Sequence, residues 1–205
     1  MSISENIKQL RSSLPENVSL VAVSKFRPIE DLREAYNAGQ RIFGESRAQE
    51  LTQKQHSLPK DIEWHFIGQL QSNKVKDIAP FIHTIHSIDS LKLINEVEKQ
   101  AAKFDRRIRI LLEIHIAQEE TKAGFTPGEC RDLLSTFSQE NYPHVQIGGL
   151  MTMATKNLYE DIKRTYLTES SFSVLSMGMS ADYEIAISEG SNMVRIGSNI
   201  FGIRE

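Results

Sequence analysis

The sequence contains a single cysteine and no dominant charge of one sign. Cys130 is the only cysteine among 205 residues, which excludes an intrachain disulfide and a cysteine-built zinc site and is typical of a reducing compartment. Lys and Arg total 24 and Asp and Glu total 27, for a formal net charge of −3. Because no basic block stands out, the electrostatic footprint of a nucleic-acid-binding protein is missing. We therefore expect a small-molecule ligand and no nucleic acid partner.

Long apolar segments are also missing. The first residues, MSISENIKQLRSSLPEN, are polar throughout and contain no apolar stretch of the kind found in signal peptides. The most apolar predicted strand, residues 108–116, is interrupted by Arg109, Glu113 and His115 and is too short to cross a bilayer as a helix. We expect a cytoplasmic protein with no membrane partner.

Apolar runs rich in Val, Ile and Phe alternate with stretches of helical period, which is typical of βα units and a parallel sheet. Eight runs predict eight strands, and each interval exceeds the roughly 10–12 residues that a right-handed crossover needs. The predicted strands begin at Val18, Arg41, Glu63, His83, Ile108, Val145, Ser173 and Met193.

Residues that start and stop helices stand between these strands. Pro28 opens one predicted helix and Gly39 closes it, Asp89 is placed to cap another, and Thr126 with Pro127 opens a third.

The turn after the first predicted strand has no glycine. It reads Ser24-Lys25-Phe26-Arg27-Pro28, whereas open doubly wound sheets usually carry a glycine-rich turn at this point. We therefore expect an α/β fold in which residues 1–205 form a single domain, a closed (β/α)8 TIM barrel. An extra N-terminal helix near residues 4–13 would take the place of an eighth helix.

The last residues of the predicted strands are the candidates for chemistry, because active sites of such barrels lie at the carboxyl ends of the strands. Lys25 ends the first strand. Partial desolvation at the barrel mouth favours the neutral amine that attacks carbonyl carbons, which makes Lys25 a candidate Schiff-base lysine. The alternative is a solvated lysine whose ammonium group extends outward.

Glycine and serine residues follow the last two predicted strands. Ser180 follows strand seven, and Gly197 and Ser198 follow Arg195 on strand eight. Barrels frequently bind phosphate in these two loops, where glycine admits close backbone approach, hydroxyls donate and a helix N-terminus adds partial positive charge. Taken singly, helix capping by Ser180 and a tight turn at Gly197 would also explain them. Together they predict a phosphate site.

The six histidines show no metal-binding spacing. His83 and His86 are three residues apart on a predicted strand and face opposite ways, and no His-x-x-x-His pair occurs. We expect packing or surface roles for them and no metal. Strand-end carboxylates that either act as acid or base or pair with cations are Glu45, Glu113, Glu119 and Glu120.

Several segments of the chain are similar in sequence to one known family. They include LVAVSK at 20–25, FGESRAQE at 43–50, WHFIGQLQSNK at 64–74, GGLMTMA at 148–154, LSMGMSADYEIAI at 175–187 and VRIG at 194–197. In these segments the chain, from about residue 18 to the end, resembles the YggS/PROSC family of pyridoxal 5′-phosphate (PLP) homeostasis proteins. The family is similar to the N-terminal barrel of alanine racemase without its second domain. The resemblance implies an alanine racemase N-terminal-domain-like barrel that holds PLP as a monomer, with little or no turnover.

The resemblance also implies roles for single residues. Lys25 would form the Schiff base with PLP, Arg195 would face the pyridine nitrogen and Met151 would line the surroundings of the ring. Ser46 stands where the family usually has an asparagine that contacts the cofactor, and it lacks the amide donor. The implied phosphate ligands are Ser180, Gly197 and Ser198.

The segment between 154 and 175 is shorter than the helix-bearing segment usual in the family, and this difference predicts an abbreviated helix there.

Two other functions would suit the same barrel. A fold-type-III PLP-dependent amino-acid racemase needs a second proton donor opposite the lysine, which related racemases take from a tyrosine of another domain and subunit. A cofactor-free Schiff-base aldolase would also need a lysine but usually places it later in the barrel. If the homeostasis interpretation holds, free amino acids and PLP-dependent apo-enzymes are further candidate partners. The tyrosines, all expected away from the mouth, are Tyr36, Tyr142, Tyr159, Tyr166 and Tyr183.

Overall fold

Eight parallel strands form a closed barrel in sequence order, with β8 pairing with β1. The computed structural model describes residues 1–115, 123–152, 156–166 and 171–203. Every strand begins within one residue of its predicted start, and the predicted (β/α)8 barrel is confirmed. The strands are β1 (Ser19–Val23), β2 (Ile42–Glu45), β3 (Glu63–Phe66), β4 (Thr84–Ile88), β5 (Ile108–Ile114), β6 (Val145–Thr152), β7 (Val174–Met179) and β8 (Met193–Ile196).

Helices connect the strands on the outside of the barrel. They are α1 (Ile3–Ser13), α2 (Ile29–Asn37), α3 (Ala48–Ser57), α4 (Val75–Ile78), α5 (Leu91–Lys103), α6 (Pro127–Thr136), α7 (Lys156–Thr165), α8 (Tyr183–Ser188) and α9 (Ser198–Phe201). A short 3-10 turn, Ser72–Lys74, precedes α4. None of the described helices combines the length and apolar character needed to cross a membrane.

Local capping explains where two of these helices begin. Thr126 caps α6 in a capping box with Glu129, as its sequence predicted. The predicted cap of α5, Asp89, is wrong by one residue. The hydroxyl of Ser90 accepts a hydrogen bond from the Leu93 backbone N–H at 3.3 Å, and Asp89 accepts one from the Ser90 hydroxyl at 2.9 Å.

The N-terminal helix α1 packs against both α2 and α9, so it takes the place of the eighth helix, as expected. The Asn6 amide donates to the Ile200 carbonyl at 2.9 Å. The prediction of an abbreviated helix between β6 and β7 is wrong: α7 has ten residues, as do α3 and α6. It buries Leu158, Tyr159 and Ile162. Residues 153–155 and 167–170 of this segment lie outside the described residues.

Strand alternation divides the core into two layers. One large apolar cluster lies between the strands and the helices and includes Phe43, Phe66, Ile94 and Ile110. A much smaller cluster inside the barrel consists of Val21, Leu111, Met151, Val174 and Met193. Because this second cluster is small, polar side chains occupy the rest of the barrel interior, toward the carboxyl ends of the strands.

Candidate functional site

A cavity of about 610 Å³ lies at the carboxyl ends of the strands, within the size range of small-molecule sites. Ser46, predicted to contact the same ligand, instead lies on the wall of a neighbouring groove with Arg47 and Gln69. Its contact with a ligand in the cavity stays a prediction. The predicted site residues that the structure brings together on the cavity wall are Lys25, Met151, Ser180, Arg195, Gly197 and Ser198.

Lys25 lies in a tight turn that follows β1. The turn is closed by a hydrogen bond from the Arg27 N–H to the Ser24 carbonyl at 3.0 Å. Phe26 has φ of 63°, the left-handed conformation that glycine usually supplies at the third position of such a turn. The turn places the half-buried Lys25 on the cavity wall, where an amine can reach a bound carbonyl compound.

The loops after β7 and β8 form one polar corner of the cavity. The Gly197 N–H donates to the Ser180 hydroxyl at 3.1 Å, and the Asn199 amide donates to the Ser180 carbonyl at 3.3 Å. A Cβ on Gly197 would lie 3.3 Å from the Val23 carbonyl oxygen and fill this corner. Ser198 lies on the same wall. The corner thus contains two hydroxyls and the Gly197 N–H, which are groups of the kind that bind phosphate.

Two expectations for this corner need correction. Ser180 does not cap α8: that helix begins at Tyr183 and its capping residue is Asp182. The helix N-terminus is also a weaker source of positive charge than expected, because α8 has six residues and α9 has four, and short helices sum few peptide dipoles. Anion binding here depends on the hydroxyl and amide donors.

Arg195 is held by a chain of hydrogen bonds through the barrel interior. Its Nη1 donates to the Ser176 hydroxyl at 2.6 Å and to the Ser176 carbonyl at 2.9 Å. Ser176 Oγ lies 3.1 Å from His86 Nδ1, and His86 Nε2 lies 2.9 Å from His65 Nδ1. The Ser176 hydroxyl thus accepts from Arg195 and also contacts His86, and the two ring contacts continue the chain from Ser176 through His86 to His65.

Charge states in this chain follow from burial. Burial lowers the pKa of His86 and His65 well below the ordinary histidine value, so both rings are neutral at pH 7. Burial also lowers the pKa of the Arg195 guanidinium, while the negative charges of Glu113 and Asp182 raise it. An arginine remains protonated through such shifts. This hydrogen-bonded chain therefore presents one fixed positive charge to the cavity, the guanidinium of Arg195.

The described cavity wall carries three cationic side chains and one carboxylate. The cations are Lys25, Arg27 and Arg195, and the carboxylate is Glu113. Burial raises the pKa of Glu113, as does the charge of Asp89, whereas Arg195 lowers it. The excess of positive charge on the cavity wall favours an anionic ligand. The sequence did not lead us to Arg27 as a site residue, although its position two residues after Lys25 was an available signal. The candidate carboxylates Glu119 and Glu120 lie outside the described residues.

The histidines include one grouping that the sequence did not predict. His86 faces the interior, while His83 stacks on His65 with ring centroids 5.5 Å apart. Glu63, His65 and His83 place ligand-type atoms within 4.8 Å of one another, a grouping that residue spacing did not indicate. Burial lowers the pKa of His83, Glu63 raises it and Arg109 lowers it again. The positive charge of Arg109 opposes a bound cation, and the absence of a metal stays a prediction.

None of the chain's tyrosines is found on the described wall of the cavity. Tyr183 donates to Glu184 at 3.3 Å and Tyr142 donates to Asn95 at 2.8 Å, both on the outside of the barrel. The expectation that no tyrosine lies at the mouth agrees with these positions.

Three comparisons relate the chain to known proteins. The family described as alanine racemase, N-terminal domain, matches residues 1–205. The pyridoxal phosphate homeostasis protein of Pasteurella multocida is 37% identical over 100% of this chain and 99% of that protein. The protein of the same name in Schizosaccharomyces pombe is 38% identical over 95% of this chain and 87% of that protein.

Solved structures show the same relationship. PipY of Synechococcus elongatus, solved without PLP, has a TM-score of 0.90 and 35% identity, covering 98% of this chain and 100% of that one. PipY solved with PLP bound has a TM-score of 0.88 at the same identity and coverage. Alanine racemase of Clostridium difficile has a TM-score of 0.77 at 16% identity, covering 99% of this chain and 57% of that chain, which shows a shared fold.

Proposed function

This chain belongs to the pyridoxal phosphate homeostasis proteins of the alanine racemase N-terminal domain family, and from that premise we propose that it binds PLP in the barrel-mouth cavity and takes part in PLP homeostasis. The observation that carries the proposal is one cavity wall with a lysine amine, a fixed guanidinium and a corner of hydroxyl and amide donors. Those groups fit the aldehyde, ring nitrogen and phosphate of PLP.

Lys25 is the proposed covalent ligand. When bound, PLP supplies an aldehyde carbon that condenses with a lysine amine, forming a C=N bond and releasing one water. The turn from Ser24 to Arg27 directs Lys25 into the cavity. Met151 supplies an apolar contact on the same wall.

The phosphate would bind in the corner made by Ser180, Gly197 and Ser198. Charge-assisted hydrogen bonds are each worth about 1.5–3 kcal/mol, so this corner supplies most of the affinity. Ser176 holds Arg195 in place at 2.6 Å, and the guanidinium would face the ring nitrogen.

A test of the proposal is covalent trapping. Protein mixed with PLP and reduced with borohydride should carry the cofactor on the peptide that contains Lys25, and Lys25→Ala should remove the adduct without unfolding the barrel. Lys74→Ala is the matched control, because Lys74 lies on the neighbouring groove. An adduct that persists in Lys25→Ala, on Lys74 or on Lys122, which lies outside the described residues, would show that the assignment is wrong.

Turnover is proposed to be slow. Arg195 stays charged and cannot accept a hydrogen bond, so it disfavours protonation of the ring nitrogen that many PLP enzymes use. No tyrosine stands on the described cavity wall to donate the second proton of a racemase. Exchange of the L-alanine α-proton in deuterated buffer should therefore stay far below about 1 per second, and rates of about 1–10³ per second would favour the racemase instead.

The remaining features of the proposal concern the protein's surroundings. Residues 1–205 are proposed to act as one domain and as a monomer. A cytoplasmic location is also proposed, and the single, buried Cys130 supports it. Free amino acids and PLP-dependent apo-enzymes are the proposed further partners.

A further inference from the structure

A buried ionic cluster lies directly beneath the Lys25 turn, on the outer face of the barrel. Glu45, at the end of β2, and Lys54, on α3, are 0% and 4% exposed. Lys54 Nζ donates to Glu45 Oε1 at 2.8 Å, to Glu50 Oε1 at 2.6 Å and to the Ser24 carbonyl at 2.7 Å. All three ammonium hydrogens therefore have partners. We call Glu45, Glu50 and Lys54 the clamp.

The clamp holds the residues on both sides of Lys25. On one side, the Ser24 hydroxyl donates to Glu45 Oε1 at 2.6 Å, and the Ser24 carbonyl accepts from Lys54. On the other side, the Phe26 N–H donates to Glu50 Oε1 at 2.6 Å. The backbone before and after Lys25 is thus fixed to one strand and one helix.

The turn needs such support because of its backbone conformation. Phe26 has φ of 63°, a left-handed conformation that is unfavourable for a residue with a Cβ. The bond from Phe26 to Glu50 holds this peptide in place. Without it, the turn can relax toward ordinary φ values and move Lys25.

Stability is a weak explanation for the clamp. A buried ion pair often contributes little to folding, because desolvation offsets the attraction. Burial raises the pKa of Glu45, although Lys54 and Ser24 lower it, and Glu45 Oε2 has no hydrogen-bond partner among the described residues. Desolvating Glu45 therefore costs free energy, and the geometry that the clamp imposes on the turn explains it better than stability does.

We propose that Glu45, Glu50 and Lys54 are positioning residues that hold the Lys25 amine where it can condense with the aldehyde of a ligand seated in the phosphate corner. The inference rests on the proposed function of Lys25. It assigns the clamp to covalent capture only. The noncovalent part of binding, at Ser180, Gly197 and Ser198, lies in other loops.

Pyridoxine 5′-phosphate separates these two parts of binding, because it carries an alcohol where PLP carries the aldehyde. It has the ring and phosphate but cannot condense with an amine. The ratio of its dissociation constant to that of PLP therefore reports how well Lys25 is placed. Lys25→Ala gives the ratio expected when capture is absent.

The clamp is tested with three variants: Ser24→Ala, Glu50→Ala and the neutral pair Glu45→Gln with Lys54→Met. Each should weaken PLP binding about tenfold or more and slow borohydride trapping at Lys25, while the dissociation constant of pyridoxine 5′-phosphate stays within about twofold. Because Glu50 is only partly buried, Glu50→Ala keeps the test usable if the double variant fails to fold.

Gln40→Met is the matched control. Gln40 is fully buried and donates to the carbonyls of Leu20 and Ile42 at 2.8 and 2.6 Å, so it ties β1 to β2 at the amino ends of the strands. It should lower the melting temperature and leave the ratio unchanged.

The possible results separate the inference from its premise. Clamp variants with a wild-type ratio, or with equal losses for both ligands, would overturn the positioning role. Wild-type protein that binds both ligands equally and traps nothing at Lys25 would overturn the proposed covalent role of Lys25, and the inference with it, whereas wild-type protein that binds neither ligand would overturn the proposed function.

Discussion

The two faces of the barrel strands differ in composition and in the role of their side chains. The outer faces pack against the helices in one extensive apolar layer, whereas the inner faces combine a five-residue apolar cluster with a hydrogen-bonded chain from His65 to Arg195. The outer layer buries the area that stabilises the fold. The inner face instead carries polar and charged side chains, which orient Arg195 near the cavity.

One part of the outer layer does not follow this division. The clamp of Glu45, Glu50 and Lys54 lies on the helix side of β2, yet its hydrogen bonds end on Ser24 and Phe26, beside Lys25. In the role that we propose for the clamp, side chains on the outer face of the barrel position a lysine of the cavity. The following predictions test how far the two faces can be changed independently.

The largest expected effect is a loss of stability from the outer layer. Ile94 on α5 is fully buried, and Ile94→Ala should lower the free energy of unfolding by about 2–5 kcal/mol, because it leaves a cavity. The dissociation constant of PLP for the folded protein should stay within about twofold. Urea unfolding and PLP titration measure the two quantities.

Leu91→Ala on the same helix is the control for this variant. Leu91 is 47% exposed, so its truncation should cost less than about 1 kcal/mol. If Ile94→Ala weakened PLP binding strongly, the two faces would be coupled and the comparison would not hold.

The next effect concerns the phosphate corner. Pyridoxal, which lacks the phosphate, should bind at least about a hundredfold more weakly than PLP, since two or more charge-assisted bonds of about 1.5–3 kcal/mol are lost. Ser198→Ala should cost less, because Gly197 and Ser180 keep their donors. Ser188→Ala, an exposed hydroxyl bonded to Ile185, should change neither constant. Equal affinities for the two ligands would contradict the assignment.

The smallest effect is a pH dependence of stability from the inner face. Burial lowers the pKa of His65 and His86 in the folded state well below 6.5, so the unfolded chain binds more protons below that pH. The free energy of unfolding should then fall as pH decreases below about 6.5, by up to about 1.4 kcal/mol per pH unit for each ring.

Replacing both rings by amides should remove most of this pH slope. Urea unfolding of His65→Gln with His86→Gln at pH 7 and pH 5.5 measures the change against wild type. His56→Gln, on the exposed side of α3, should keep the wild-type slope. A double variant with an unaltered slope would show that other groups cause the acid sensitivity.

Much of the cavity could be predicted because its residues are ends of strands. Lys25, Ser180 and Gly197 each follow an apolar run, and in a parallel barrel all strand ends meet at one mouth. The clamp could not be predicted in the same way. Glu50 and Lys54 are visible as an i, i+4 pair, but nothing local indicates that Lys54 reaches back to Ser24.

Two side-chain placements depend on tertiary contacts. Ser46 is adjacent to the strand end Glu45, yet the direction of its turn places it on the neighbouring groove. Ser180 has the residue type of a helix cap, but its hydroxyl accepts from Gly197, seventeen residues further along the chain. Capping and turn preferences are local and weak, so a tertiary contact that satisfies a backbone N–H overrides them.

The sequence by itself determined the eight strands, their order and the lysine at the end of the first, because the alternation of side chains and the crossover lengths are properties of neighbouring residues. The tertiary structure alone decided which side chains meet across the barrel. Arg195 reaches Ser176, and Ser176 reaches His86, through contacts between different strands. Such contacts depend on strand register and on closure of the barrel, which long-range packing determines.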